Sequence, residues 1–491
     1  MHKTGVLFFL FGSIGVLALA PRCGGGSSDC TQTSTCPAEG GDGPPPLVCD
    51  MTKDPKDDSG CVDDRVGVFV SPTGSDASAG TKEAPFQTIG KALASVGSLT
   101  RVYVCEGTYA EDVSITAPID GISIYGGFSC TDWSYSGNKP TIGKGNIALT
   151  INGTTKPFSI EDVSVHAADG IAGSSSSIAA LVANASGAVT FTRVTLTAGV
   201  GADGADGTSG SNYSATLAQS DPSIAGHNAS GISGGAIQTC GGLCTDSNAS
   251  TGGQGGAGGA APGDGSDGAP TIGTGGGLHG DHTKSCNSGG AGGNGNNAPA
   301  AGTDASAPTA LGALAATGWT PGASGTGKNG TPGQGGGGGA GQTGTNVGGG
   351  AGGGCGGCGG GGGLGGGGGG ASIALAAFAS VVTVNASDLH AGNAGKGGKG
   401  GAGQAGQMGG YSGTQSNPGC TGGNGGQGSA GGSGAGGVGG ISVGVLYKGT
   451  QPTLDSATTT AVGTAGAAGA GGTSGSNDGI AGVAMPSMAS P

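Results

Sequence analysis

Charge is scarce in this sequence. Asp, Glu, Lys and Arg together make up 10% of 491 residues, and the arginines are Arg22, Arg65, Arg101 and Arg193 alone. The formal net charge of −13 excludes a nucleic-acid partner, because phosphate binding needs clustered Lys and Arg. The excess of acid instead keeps a weakly polar surface in solution. Aromatic residues are only 4%. Bulky apolar residues crowd into Val66–Leu196, with short returns near Ile373–Leu389 and Ile441–Leu454. An ordinary chain of this length buries one or two large cores, so the core here is small. Glycine takes up the difference, at 124 residues against an ordinary usage of about 7%.

The chain starts Met1-His2-Lys3 and continues with an apolar run from Val6 to Ala20. A basic head with an apolar stretch of that length reads as a secretory signal, too short for a spanning helix. Cys23, followed by Gly24-Gly25-Gly26-Ser27-Ser28, is similar to the acceptor cysteine and tether of a bacterial lipoprotein. Pro21-Arg22 depart from that family's lipobox. An N-terminal lipid is thus the one membrane attachment expected, on a chain exported to the outer surface or medium. Thirteen cysteines in an exported chain point to disulfides; setting Cys23 aside leaves an even number. Cys30, Cys36, Cys49 and Cys61 lie in a Pro/Gly/Asp-rich stretch read as a stapled stalk, with three connectivities open. Cys105 and Cys130 each follow a strand-like segment, and their pairing would tie adjacent coils.

From Val66 the pattern turns β-like. Val66–Val70 alternates and Ser71–Asp76 supplies a turn. Thr88–Val96 carries Ile89, Leu93 and Val96 at helical spacing. Short strands are expected at Val102–Val104, Val113–Ile115, Ile122–Tyr125 and Ala148–Ile151. Phe69-Val-Ser-Pro-Thr-Gly-Ser-Asp76, Gly80-Thr-Lys-Glu-Ala-Pro-Phe-Gln-Thr-Ile89, Glu106-Gly-Thr-Tyr109 and Tyr125-Gly-Gly-Phe128 resemble the opening of pectin-lyase-like right-handed β-helix domains of secreted bacterial proteins. The resemblance covers roughly Val66 to Leu196. It implies that the first strand and helix cap the end of a helical core, and it says almost nothing about activity.

An internal repeat points the same way. Phe158–Ala167 aligns without gaps to Val189–Ala198, and the frame recurs as Val382–Ala391 and, more weakly, Pro452–Ala461. Apolar residues at its first, third, sixth and eighth places make two short strands joined by a polar bend, although Ser387 breaks the sixth place of the third copy. Apolar strands precede the last three copies, at Ile178–Val182, Ile373–Ala377 and Ile441–Leu446. The later copies are expected to return to the coil at Val189 after long excursions.

Those excursions, Gly201–Ala371 and Gly392–Gly440, place glycine at every third residue over Gly327–Gly339, Gly353–Gly368 and Gly422–Gly440. Three is the repeat of polyproline II. Such tracts order only where their backbones bond to one another, as in a polyglycine-II bundle; otherwise they are linkers. Cys355 and Cys358 would sit ~9.3 Å apart in that conformation, beyond the ~7 Å limit for a disulfide. In a bundle they therefore pair with other segments, with Cys240, Cys244, Cys286 and Cys420 as candidates. The tracts resemble those of PE-PGRS-type proteins in composition only.

The expected fold is all-β: a right-handed parallel β-helix with long glycine-rich insertions. Its segments run 1–22 (signal), 23–65 (stalk), 66–200 (β-helix), 201–371 (insertion) and 372–391 (returning coil). A second insertion, 392–440, a second returning coil, 441–462, and a Gly/Ala/Ser tail, 463–491, follow.

No catalytic or cofactor site is recognised. Cys240, Cys244, His279, Asp281, His282 and Cys286 could be drawn as a zinc site, but the spacing fits no standard finger. Asp203, Asp206, Asp264 and Asp267, in Gly/Asp turns, are weak calcium candidates; solvated turns are the simpler reading. Arg193 aligns with Asp162 of the preceding copy, which suggests an exposed coil-to-coil ion pair, and Glu161 and Asp162 should point apart. His166 and His390 share one repeat position with Thr197 and Thr460, as a polar ladder. The reading that results is a non-enzymatic exported surface protein with a structural or adhesive role. Its expected partner is a cell-surface polysaccharide or another surface protein. Alternatives are a polysaccharide lyase or glycoside hydrolase with an unrecognised site, and ice or surface binding by a glycine bundle.

Overall fold

The computed structural model describes residues 47–344 and 347–491. The signal segment, Cys23, Cys30 and Cys36 lie outside them. From Val48 onward the chain forms one compact unit, built on three parallel sheets. One runs through Gly67–Val70, Arg101–Cys105, Ser123–Phe128, Phe158–Glu161, Val189–Thr192, Val382–Asn385 and Thr453–Leu454. A second stacks Val113–Thr116, Ile147–Asn152, Ser177–Ala183, Ser372–Phe378, Ser442–Lys448 and Ala484–Ala489. The third contains Ser164–His166, Thr195–Thr197, Asp388–His390 and Thr459–Ala461, after two shorter strands. Each coil visits the first, third and second sheets in turn, which defines a parallel β-helix.

Alternation decides which side chains enter the core. Phe158, Ile160, Val163 and Val165 are buried, as are Val189, Phe191, Val194 and Leu196 directly above them. Each such side chain contributes roughly 1.5–3 kcal/mol, and register stacks like on like. The helix Ile89–Ser95 closes one end, N-capped by Thr88 Oγ1, with Ile89, Ala92 and Leu93 against Val68, Val70, Val102 and Val104. A short helix there satisfies the end of the core without offering a further strand edge.

The returning coils rejoin the stack in register. Val189 pairs with Val382 and Phe191 with Val384, across most of two hundred residues of intervening chain. The fourth copy then sits on the third, Val384 opposite Leu454. At the bend between sheets, Asp162, Arg193 and Ala386 each adopt positive φ, between 46° and 54°. The fourth copy solves this corner differently: Asp455 accepts from Ala386 N and Thr458 Oγ1, and one extra residue enters. His390 therefore faces Ala461, not Thr460, so the ungapped alignment slips by one there. Ser387, at an otherwise apolar place, is fully buried and satisfied, its Oγ donating to Asn385 O and accepting from Val194 N.

The glycine tracts are ordered. N–H groups of Gly354, Gly357, Gly360, Gly363, Gly366 and Gly369 donate to carbonyls of 423 through 438, three residues apart, in a parallel pairing. Carbonyls of the same segment accept from Gly336 back to Gly327, antiparallel. Its other carbonyls, Cys355 to Gly367, accept from Gly410 back to Gly398. Leu364, Gly367 and Gly370 donate to Thr208, Ala205 and Ala202. The segment is thus ringed by backbone partners on a three-residue period, the arrangement of a polyglycine-II bundle. Close approach is what demands glycine: a Cβ on Gly357 would fall on the carbonyl oxygen of Gln407.

Two expectations change. The Gly/Ala/Ser tail, residues 463–491, packs onto the rest of the chain. Gly466 and Gly469 donate to Gly440 and Gly437 in the bundle, and Ala484–Ala489 adds a last strand beside Ser442–Lys448. Within 201–371, Gly312–Ala315 and Gly318–Pro321 form a hairpin whose Leu314 and Trp319 pack on Ile178, Leu181 and Ile373 of the second sheet. Only two aromatic or large aliphatic anchors mark that hairpin in the sequence, too few to signal a strand pair.

Candidate functional site

The strongest concentration of charge lies where the first sheet bends into the third. Positive φ at Asp162 and Arg193 turns both side chains to the same outer corner of successive coils. Arg193 donates from Nε to Asp162 Oδ1 (2.9 Å) and from Nη2 to Asp162 Oδ2 (2.8 Å), Glu161 Oε2 (2.9 Å) and Asp54 Oδ2 (3.2 Å). The hydroxyl of Tyr135 donates to Asp162. The expected pair exists, but it is a half-buried cluster: the side chains of Glu161 and Asp162 are 6% and 7% exposed. Glu161 and Asp162 do not point apart, because the left-handed residue reverses the alternation. Burial and the neighbouring Asp54 raise the Glu161 carboxyl to about 6.

Asp54 comes from residues 48–65, which are not a stalk. Cys49–Cys61 closes that segment into a loop, Arg101 holds Met51 O and Lys53 O, and Tyr103 donates to Cys61 O. The loop lies along the first sheet beside the aromatic cluster of Phe69, Tyr103, Phe128 and Trp133. The cluster at Arg193 is therefore overlain by that loop and bonded within itself, the Arg193 side chain still 26% exposed.

The cysteines among the candidate metal ligands are taken up in disulfides. Cys240 bonds Cys355, Cys244 bonds Cys358 and Cys286 bonds Cys420, so their sulfurs are not zinc ligands. Cys105 bonds Cys130. Asp203 and Asp206 accept the backbone N–H groups of Lys396 and Lys399. Asp264 accepts from the N and Nδ1 of His282, and Asp267 takes His279 in the same way. Asp264, Asp281 and His282 come together as a group of three, their ligand atoms within 4.8 Å of one another. Asp281 is occupied by Thr283 and Lys284. At the bundle surface these side chains accept N–H groups that lack a backbone partner, a task Asn294, Asn297, Asn393 and Asp304 share.

Sequence reasoning missed what the lattice exposes. Along the segment Gly395–Ser416, two of every three residues face neighbouring strands. The third set, Lys396, Lys399, Ala402, Ala405, Met408, Tyr411 and Thr414, is exposed throughout. Strict spacing of non-glycine residues by three was the available signal. At one end of that row Tyr411, Ser412, His227, Asn228, Ser220 and Pro222 line a cleft of about 430 Å³.

Fold and site together define a parallel β-helix that carries a disulfide-linked polyglycine bundle. A family model described as "Protein of unknown function (DUF1565)" matches residues 72–186, the capped end of the β-helix. No curated protein and no solved structure matches the chain. The disulfides indicate an oxidising compartment, and no helix among the described residues is long and apolar enough to cross a membrane.

Proposed function

We propose that this is a non-enzymatic exported surface protein, in which the β-helix is a rigid mount and the glycine bundle is the adhesive face it displays. The observation that carries this reading is the three-residue register of the bundle. It converts low-complexity sequence into a fixed array whose outer segment, Gly395–Ser416, presents every third residue to solvent. Disulfides closing loops of 115, 114 and 134 residues favour permanence over motion. The engagement of Glu161, Asp162 and Asp54 by the single Arg193 guanidinium argues against a working acid–base site there, although a Glu161 carboxyl at about 6 is in the range of a general acid.

The test couples the intact oxidised chain to beads and measures retention on polysaccharide-coated and protein-coated surfaces. A depolymerisation screen runs in parallel. Retention without turnover supports the reading. Polysaccharide cleavage that is lost in Glu161→Gln replaces it with a carbohydrate-active enzyme.

A further inference from the structure

We propose that the cleft at Tyr411 is a binding site for a neutral saccharide, one or two pyranose rings in extent. The inference rests on the adhesive reading above and specifies its ligand class.

The cleft has a structural origin. The segment Gly201–Gly210 runs beside Asn393–Ala402 in a three-residue register, from Gly201 N on Asn393 O to Gly210 N on Ala402 O. It then leaves that register, and regains it where Gly226 N donates to Tyr411 O and Ala229 N to Thr414 O. The detour opens a hollow between Ser220–Asn228 and Tyr411–Ser412, and the flanking lattice holds its walls in place.

Its chemistry is selective. Tyr411 is 48% exposed, and Tyr135 is the other aromatic among the described residues exposed beyond a third. The Tyr135 hydroxyl is occupied by Asp162; that of Tyr411 has no partner among the described residues. The same holds for the His227 imidazole and for the hydroxyls of Ser220 and Ser412. Asn228 uses Oδ1 to accept Thr414 N, which fixes its side chain and leaves its amide N–H groups pointing to solvent or ligand. Asp221, between two lining residues, turns its carboxylate onto Ser223 N and Oγ. The lining therefore contains an aromatic face, a proline ring and several unpaired donors and acceptors, with no Lys, Arg, Asp or Glu. A charged ligand finds no carboxylate, ammonium or guanidinium there. A pyranose ring offers what the lining can use: apolar C–H faces for the ring of Tyr411, and hydroxyls for the imidazole, amide and serines. The volume is in the lower part of the range typical of small-ligand sites.

The experiment is saturation-transfer difference NMR on the full oxidised chain. The probes are methyl glucoside, methyl galactoside, methyl mannoside, maltotriose and cellotriose, with trigalacturonate as the anionic comparison. The expected result is transfer to ring C–H protons of at least one neutral probe, with Kd on the order of 1 mM as for a small, open site. Tyr411→Ala should reduce it at least about tenfold, equivalent to ~1.4 kcal/mol, while Tyr411→Phe retains it. Tyr411 is an exposed position, so its removal leaves the lattice intact; hydrogen exchange over 353–370 checks this. Absence of transfer from every neutral probe, transfer unaffected by Tyr411→Ala, or preference for trigalacturonate would each overturn the proposal. Bead retention that persists in Tyr411→Ala overturns this site while leaving the adhesive reading intact.

Discussion

Arg193 grips Asp162 of the preceding coil through two N–H···O bonds, Nε to Oδ1 at 2.9 Å and Nη2 to Oδ2 at 2.8 Å. The same guanidinium reaches Glu161 of that coil and Asp54 of the disulfide-closed loop. One side chain thus joins two coils to the segment covering them. Removing it leaves two nearly buried carboxylates without a counter-ion. Arg193→Ala should destabilise the chain by about 2–4 kcal/mol, below the upper figures for buried pairs because the guanidinium is partly solvated. Arg193→Lys should recover only part of this, since an ammonium cannot make the paired bonds. Denaturant midpoints of the three proteins check the order.

The raised Glu161 carboxyl gives a pH dependence of known sign. Its pKa is about 6 in the folded chain against an ordinary 4.5, so the folded state holds the proton more tightly. Below the ordinary value this group favours folding; as pH rises through about 6 that contribution is lost. Glu161→Gln should flatten the stability profile between pH 4.5 and 6 relative to the parent chain. A profile that keeps the parent slope across that interval would show that the group titrates elsewhere.

Glycine within the lattice should not be replaceable. Gly357→Ala places a methyl group on the carbonyl of Gln407, and Gly360→Ala does the same to Gln404. Ala402→Ser, on the exposed row, should be silent. Amide exchange across 353–370 and 395–413 is expected to accelerate in the first two and stay at parent rates in the third.

Reduction should act unevenly. In the loop-entropy description, closing a loop of more than a hundred residues stabilises by ~4–5 kcal/mol, and three such links hold the bundle. Cys240→Ser with Cys355→Ser should therefore loosen the bundle while the β-helix before residue 198 keeps its protection. Peptide-resolved hydrogen exchange separates the two responses.

Chelation should change nothing in the Gly/Asp turns. Asp203 and Asp206 already hold the N–H groups of Lys396 and Lys399. Thermal unfolding with EGTA or with added calcium is expected to superpose, and Asp206→Asn, whose amide oxygen can still accept, should be tolerated. A calcium-dependent rise in midpoint would restore the metal reading.

The β-helix was legible because alternation and repeat length are local properties. Phe158-x-Ile160 beside Val189-x-Phe191 states both the strand and its partner. The corner was not: nothing in Asp162 or Arg193 announces positive φ, and without it Glu161 and Asp162 read as facing apart. The loop at Asp54 escaped for the opposite reason, since its contacts are made 139 residues away in sequence. In the glycine tracts the period was visible but the neighbours were not, because glycine carries no side chain to specify a partner. The cysteines supplied what pattern could not, and Tyr411 stood out only once the exposed frame was known.

The bundle has a further consequence for how such a chain can change length. Each glycine excursion leaves the same corner of a coil and re-enters at the same sheet, so the mount tolerates excursions of very different size. Within an excursion, however, the backbone is phased in triplets. Loss or gain of one residue inside a traverse would act like a reading-frame slip, burying the displayed row and turning lattice positions outward. Triplet changes would keep the phase. Insertions and deletions in these tracts should therefore be accepted in threes, and variation in their length should be quantised where ordinary loops vary freely.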